Sequence, residues 1–179
     1  RGLGDVYKRQ VQELLAQDAA AKNRLLQYAA GHRSEAQEFC WLAEPWDKTY
    51  LSFADQALTG RLQPFMMARC LDARLALAKL PVAASMSSGS VVMLLTDKMI
   101  ERNNHLLQLR TSPGKLEAVS TLEQEEVTMD MGTFTQLYFG AFSATELWEA
   151  GRIKCSDVRK LQMLDELFPK CRTYNNEYF

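Results

Sequence analysis

The residues with the clearest capacity for chemistry lie at the carboxyl end of the chain. Phe179 is the last residue and carries the free α-carboxylate, and Glu177 and Tyr178 precede it. An α-carboxylate has a reference pKa near ~3.5, which makes it a weak base in water. In an apolar cleft its charged form loses hydration and its pKa rises, so it becomes a better proton acceptor.

The aromatic character of this end predicts that it docks. Terminal tails are commonly polar and frayed, whereas this chain ends Tyr174-Asn175-Asn176-Glu177-Tyr178-Phe179. Glu177 could add a second acceptor for a cationic substrate beside the Phe179 carboxylate. The alternative is a tail that packs on its own domain, and the residues taken alone favour that alternative.

Composition and charge exclude several function classes. The chain has 179 residues, 47% hydrophobic and 24% charged, with a net charge of −1. This balance gives no electrostatic case for nucleic acid or for an anionic membrane. No apolar run approaches the ~20 residues needed to span a bilayer. With four dispersed cysteines and two histidines, we predict no metal site and expect a cytoplasmic protein with reduced thiols.

The chain begins without a methionine, with the decapeptide RGLGDVYKRQ. This stretch resembles translated sequencing-adapter read-through, so we interpret residues 1–10 as a non-native artefact. On that interpretation the natural protein continues upstream and this sequence is a C-terminal fragment.

Residues 11–62 have the pattern of the end of an α/β domain. Apolar residues recur at helical spacing from Val11, with Asp18 as a candidate N-cap and Gly31 as a stop. The aromatic run Glu38–Ala43 predicts a strand that ends before Pro45. These elements are too few to bury a core of their own.

Residues 63–179 predict an α+β domain, in which helices cover one face of an antiparallel sheet. Strands are predicted over residues 65–71, 90–97, 105–111, 115–121 and 127–130, the middle three as a meander. The turn Ser112-Pro113-Gly114-Lys115 supports that meander. Helices are predicted over residues 73–80 after Asp72, over residues 134–139 and 144–150, and from an N-cap at Ser156.

Several short motifs together resemble one known family. They are P-F-M-M-A-R-C-L-D (Pro64–Asp72), L-L-T-D (Leu94–Asp97), Asn103-Asn104, M-D-M-G-T-F-T-Q-L-Y-F-G (Met129–Gly140), L-W-E-A-G-R-I (Leu147–Ile153), L-D-E-L-F-P (Leu164–Pro169) and the terminal N-E-Y-F. With the upstream stretch His32–Leu51, these motifs resemble the Eis (enhanced intracellular survival) family of GNAT N-acetyltransferases. The order and spacing of the motifs carry the resemblance, and no one motif is diagnostic.

The resemblance implies a fold and an activity. Residues 63–179 would form a sterol-carrier-protein-2-like (SCP2-like) C-terminal domain, and residues 11–62 the helix–strand tail of a truncated second GNAT-like α/β domain. The family transfers acetyl groups from acetyl-CoA to amines, including aminoglycosides in some members, and forms hexamers. The resemblance therefore implies acetyl-CoA as cofactor, a small-molecule amine as substrate and a homo-oligomer for the full-length protein.

The resemblance also implies roles for individual residues. The carboxylate of Phe179 would be the general base, and Glu177 and Tyr178 would lie beside the substrate. Met67, Arg69 and Asp72 are expected near the same cleft. The acetyl-CoA site and the general acid belong to the family's first GNAT domain, so we expect this chain alone to be inactive.

Two other classes of function remain open on the sequence. A free-standing sterol-carrier-like module would hold a lipid or an acyl chain among its Met- and Leu-rich elements. A purely structural domain would serve as an oligomerisation platform.

Overall fold

The computed structural model describes residues 8–32, 34, 36, 38–53, 58–62 and 67–172. These residues divide into two compact units, and the boundary falls between residues 65 and 66.

The first unit is a short parallel β-α-β arrangement. Strand β1 (Lys8–Val11) pairs with β2 (Glu38–Trp41), and helix α1 (Ala19–Gly31) connects them. As predicted, Asp18 caps α1, since its carboxylate accepts a hydrogen bond from the Ala21 N–H at 2.7 Å. The helical pattern expected from Val11 was wrong at its start, because Val11 ends β1. Residues 8–10, interpreted above as non-native, form the rest of that strand.

A partly buried carboxylate, that of Asp47, connects the segment after β2 to α1. Asp47 accepts hydrogen bonds from Lys22 Nζ at 2.7 Å and from the Thr49 N–H at 2.8 Å. These contacts fix the 3-10 turn Thr49–Ser52. Burial opposes ionisation of Asp47, but its hydrogen bonds from Lys22 and Thr49 outweigh that effect and lower its pKa to about 2.

The second unit contains a five-stranded sheet in the order β5-β4-β3-β6-β7. Its strands are β3 (Gly89–Thr96), β4 (His105–Ser112), β5 (Lys115–Ser120), β6 (Val127–Asp130) and β7 (Lys154–Cys155). The first three form the predicted antiparallel meander. Strand β7 is antiparallel to β6, whereas β6 is parallel to β3.

The register explains how a short connection produces this parallel pair. Strand β5 ends at Ser120, which pairs with Leu107, and Leu107 pairs with Met93. Strand β6 begins at Val127, which also pairs with Met93. Strand β5 therefore ends, and β6 begins, at the register position of Met93. Residues 121–126 cross one face of the sheet over β4 and β3, and they do not have to run back along the strand direction first.

Hydrogen bonds attach this crossing segment to the face beneath it. Glu123 Oε2 accepts from Gln108 Nε2 at 3.2 Å. Glu126 pairs with Val92 twice, because its N–H donates to the Val92 carbonyl at 2.9 Å and its carboxylate accepts from the Val92 N–H at 2.8 Å. The Glu126 side chain thus extends the hydrogen-bond ladder between β3 and β6 by one residue.

The other face of the sheet carries the core. Val91, Met93, Leu95, Leu107 and Leu109 alternate onto this face and are fully buried. They pack in one cluster with residues of α2 (Ala73–Ala78), α3 (Met131–Tyr138), α4 (Ala144–Glu149) and α5 (Val158–Leu167). The predicted α+β class with helices on one face of a sheet is therefore confirmed. The expectation of a wholly antiparallel sheet was wrong, because β6 pairs parallel with β3.

Side-chain caps set the helix ends in this unit. Asp72 caps α2, and Ser143 forms the predicted capping box with Glu146 on α4. The expected cap at Ser156 was wrong by one residue, because Asp157 accepts from the Arg159 N–H and α5 begins at Val158. Asp165 of α5 adds a cap from outside α4, since its carboxylate accepts from the Ala144 N–H at 2.5 Å and from Thr145 Oγ1 at 2.6 Å.

The absence of a side chain at Gly140 allows the chain that follows α5 to pack closely against this residue. Gly140 has φ +66°, and its carbonyl accepts from the Cys171 N–H at 2.8 Å. A Cβ at this position would lie 2.7 Å from both Cys171 N and the Pro169 carbonyl oxygen. The close packing of residues 169–171 therefore depends on the absence of a side chain at Gly140.

Candidate functional site

The segment Met67–Asp72, called the strap below, is the first part of the second unit that the structure describes. Its described residues 67–71 were predicted as strand, and this was wrong, because they form no regular secondary structure. The Cys70 N–H donates to Thr135 Oγ1 of α3 at 3.0 Å, where a strand would have paired with a neighbouring backbone. Side chains of other elements hold the strap.

Asp97, at the end of β3, is the centre of that support. Its side chain has no exposed surface and accepts from Arg69 Nη2 of the strap. It also accepts from Asn103 Nδ2 at 2.9 Å and from the backbone N–H groups of Met99 at 2.8 Å and Ile100 at 3.1 Å. A buried carboxylate with donors on both oxygens meets the usual requirement for a charge inside a protein.

Asn103 extends the network to the end of the strap. Its Nδ2 also donates to the Leu71 carbonyl at 3.2 Å, and its Oδ1 accepts from the Ala73 N–H at 3.4 Å. Asn104 closes the β3–β4 connection on itself, because it accepts from the Asp97 N–H at 2.8 Å and donates to the Asp97 carbonyl at 3.1 Å.

Electrostatics keep Asp97 ionised. Burial alone would raise its pKa, but the hydrogen bonds from Asn103, from the Met99 and Ile100 backbone and from Arg69 outweigh burial and lower the pKa to about 2. Burial raises the pKa of the Cys70 thiol, so this cysteine stays protonated at neutral pH.

An apolar groove of about 290 Å³ lies beside the strap. Its lining comprises Cys70, Leu71, Asp72, Leu75, Ala76, Lys79, Tyr138 and Phe139. Leu71, Leu75 and Phe139 are 61%, 53% and 45% exposed. Three partly exposed apolar side chains around one concave surface form a ready contact for an apolar group.

Three of the predicted site residues lie in the strap. Met67, Arg69 and Asp72 lie on the strap, with Met67 99% exposed, Arg69 turned to Asp97, and Asp72 capping α2 at the rim of the groove. The residues Glu177, Tyr178 and Phe179 lie outside the described part of the chain. Asp97 and Asn103 were not expected at the site, although both stand in motifs that carried the resemblance.

Two further features, a metal site and a membrane-spanning helix, are absent from the described residues. These residues include no cluster of His, Cys, Asp or Glu side chains suited to a metal ion. Among these same residues, no helix combines the length and the apolar character needed to cross a membrane.

The fold of the second unit defines it as an α+β domain with a mixed sheet packed on one side by helices. The sequence match agrees, because residues 73–176 match the model of the sterol carrier protein domain. The chain therefore belongs to the sterol carrier protein domain family. Residues 3–75 match the model of an acetyltransferase (GNAT) domain. No curated protein matches the sequence.

Solved structures show the same fold over nearly the whole chain. A GCN5-related N-acetyltransferase from Anabaena variabilis ATCC 29413 matches 96% of this chain and 44% of its own, with TM-score 0.73 and 19% identity. One from Kribbella flavida matches 95% and 43%, with TM-score 0.59 and 22% identity. Eis1 from Mycobacterium abscessus matches 99% and 44%, with TM-score 0.64 and 17% identity. This chain thus spans less than half the length of these structures.

Proposed function

We propose that this chain is the C-terminal part of an acetyl-CoA-dependent N-acetyltransferase of the Eis type that acts on amines, with aminoglycosides as one candidate class. The tandem order of a GNAT match and a sterol carrier protein match carries the proposal. Structures titled as N-acetyltransferases share the fold over nearly all of this chain. Acetyl-CoA is bound by a GNAT domain outside these 179 residues.

In this proposal the chain contributes the base and part of the substrate cleft. The α-carboxylate of Phe179 accepts the proton that the amine loses as its nitrogen bonds to the acetyl carbonyl carbon. The thioester C–S bond then breaks, and coenzyme A leaves as the thiol with a proton from the general acid of the GNAT domain. Glu177 and Tyr178 lie beside the amine, and the strap residues Met67, Arg69 and Asp72 line the substrate side. A cationic amine suits the carboxylates of Phe179 and Glu177 on charge alone. The complete protein works as a homo-oligomer, a hexamer by the resemblance.

Acetyl-CoA consumption with an amine acceptor tests the division of labour. We expect no turnover by the 179-residue chain, and turnover by the product of the complete reading frame that contains it. A clear rate from the isolated chain would refute the claim that the acetyl-CoA site lies elsewhere.

A one-residue extension after Phe179 tests the base. It moves the α-carboxylate by one residue, so we expect the complete protein to lose at least ~10²-fold in kcat. The matched control is Phe179→Leu, which keeps the terminal carboxylate and an apolar side chain and should retain most of kcat. If the extended protein turns over normally, another group is the base.

The groove beside the strap favours a second candidate function, the carriage of a lipid or acyl chain. Its apolar lining and its volume of about 290 Å³ suit a short alkyl segment. Titration of the chain with a fluorescent fatty acid separates the two candidates. Saturable binding that Leu75→Glu abolishes would support the carrier, and the absence of binding would remove it.

A further inference from the structure

The strap is held by side chains that cost free energy to bury. Asp97 is wholly inside, and Asn103 is 1% exposed. Replacement of a buried ion pair by packed apolar residues is often neutral or stabilising, so such a pair is weak evidence for a stabilising role. A network of this kind favours one conformation of the segments it joins where its polar groups are paired, as the side-chain polar groups of Asp97 and Asn103 are.

The strap depends on this network, because its backbone is not part of a helix or of a β-sheet. The contacts of the strap with the β3–β4 connection run through Arg69 to Asp97 and through the Leu71 carbonyl to Asn103, at 3.2 Å for the second. The Cys70 N–H bond to Thr135 fixes the same residues from α3. Loss of the Asp97 carboxylate would therefore remove the partner of Arg69 and one partner of Asn103, and so loosen the strap, while leaving the sheet's own hydrogen bonds in place.

The conformation that results displays apolar groups outward. Met67 is 99% exposed and Leu71 61% exposed, while Cys70 between them is buried. Arg69 Nε is buried and has no acceptor among the described residues, so the guanidinium keeps a donor that the network does not use. An irregular segment that is hydrogen-bonded at Arg69, Cys70 and Leu71, and that displays two apolar side chains, suits contact with a ligand.

We infer that Asp97 and Asn103 are positioning residues that hold the strap, and with it Met67 and Arg69, in a preformed orientation for the substrate side. The inference rests on the proposed function for the identity of what the strap faces. The geometric part, that these two residues fix the strap, stands independently of any acetyl transfer.

Hydrogen exchange followed by mass spectrometry tests the geometric part on the 179-residue chain. In Asp97→Asn and in Asn103→Ala we expect the strap amide that donates a hydrogen bond, the Cys70 N–H on Thr135 Oγ1, to exchange at least ~10-fold faster, with β4 and α3 within ~2-fold of wild type. Asp165→Asn is the matched control, because it weakens a carboxylate cap at α4. It should leave strap exchange unchanged.

Three outcomes would overturn the inference: unchanged strap exchange in both variants, equal acceleration over the whole unit, or the same strap signal in Asp165→Asn. Arg69→Gln serves if Asp97→Asn fails to fold, because it leaves Asp97 its Asn103 and backbone donors. It should accelerate exchange chiefly near residue 69. Strap exchange indistinguishable from wild type in a folded Arg69→Gln would likewise count against the network.

Kinetics of the complete protein test the functional part. We expect Asp97→Asn to raise KM for the amine ~10-fold with kcat changed less than ~3-fold, because a displaced strap weakens substrate placement and leaves the base intact. A fall in kcat at unchanged KM would refute the positioning role. Absence of any turnover in the wild-type protein would refute the proposed function and leave the exchange result as it stands.

Discussion

The two units of this chain differ in what they bury. In the first unit, α1 has no buried residue along its 13 positions, and the parallel sheet has two strands. In the second unit, a five-stranded sheet and the helices on one face share a continuous core that includes Phe134, Leu109 and Leu164, each 0% exposed. Parallel strands usually occur in larger sheets that are covered on both faces. From this difference we expect the second unit to fold on its own contacts, and the first unit to be less stable by itself.

Matched leucine truncations give the largest expected effect. Leu109 is fully buried and Leu25 is 40% exposed. We expect Leu109→Ala to lower the free energy of unfolding by about 2–5 kcal/mol, and Leu25→Ala to change it by less than ~0.5 kcal/mol. Urea denaturation followed by circular dichroism measures both. Equal losses would mean that α1 belongs to the same cooperative core.

Acid tests the two aspartates of low pKa, one in each unit. Asp97 and Asp47 each have a pKa lowered from 3.8 to about 2 in the folded chain. Each therefore contributes stability above pH 3.8 that is lost as the pH falls towards 2. For Asp97 we expect on the order of 2 kcal/mol in the unfolding of the second unit, and Asp97→Asn should flatten this acid limb. Asp47→Asn should leave the urea midpoint of that unit unchanged at every pH, and a shift would show that the units unfold together.

The carboxylate caps of helices give a smaller effect. Asp165 accepts from the Ala144 N–H and from Thr145 Oγ1, and Asp18 accepts from the Ala21 N–H. Asp165→Ala should lower the stability of the second unit by about 1–2 kcal/mol. Asp18→Ala should reduce helical signal without moving the urea midpoint. A midpoint shift in Asp18→Ala would contradict the separation of the units.

Substitution of His105 gives the smallest expected effect, a change in how stability depends on pH near neutrality. Desolvation, followed by the charge of Arg74, lowers its pKa below the ordinary 6.5. The unfolded chain therefore takes up a proton before the folded chain does, and stability falls as the pH drops below 6.5. We expect His105→Gln to remove this shallow decline in thermal melts between pH 7 and 5. A decline of equal slope in the variant would assign the effect to another group.

The sequence predicts most of the second unit because its signals are local. Alternating Leu107 and Leu109, the turn at Pro113-Gly114 and the Ser143–Glu146 box each specify structure within a few residues. The parallel pairing of β6 with β3 is not encoded locally, since it depends on the heights at which β5 ends and β6 begins. The strap failed as a strand prediction for the same reason, because its fixed course comes from Asp97, Asn103 and Thr135, which are far away in sequence.

The candidate site follows the same rule: its local part is predictable from the sequence, and its long-range part is not. Met67, Arg69 and Asp72 are adjacent in sequence, so a motif could single them out together. Asp97 and Asn103 meet them only through the fold, and a buried network leaves no periodic pattern in the sequence. The roles of Glu177, Tyr178 and Phe179 remain predictions.

Gly140 also determines where the chain goes after its last helix. Because a Cβ there would collide with Pro169 and Cys171, the course of residues 169–171 is set by a residue that is distant along the chain. A substitution at Gly140 would therefore displace residues 169–171 without any change in their own sequence.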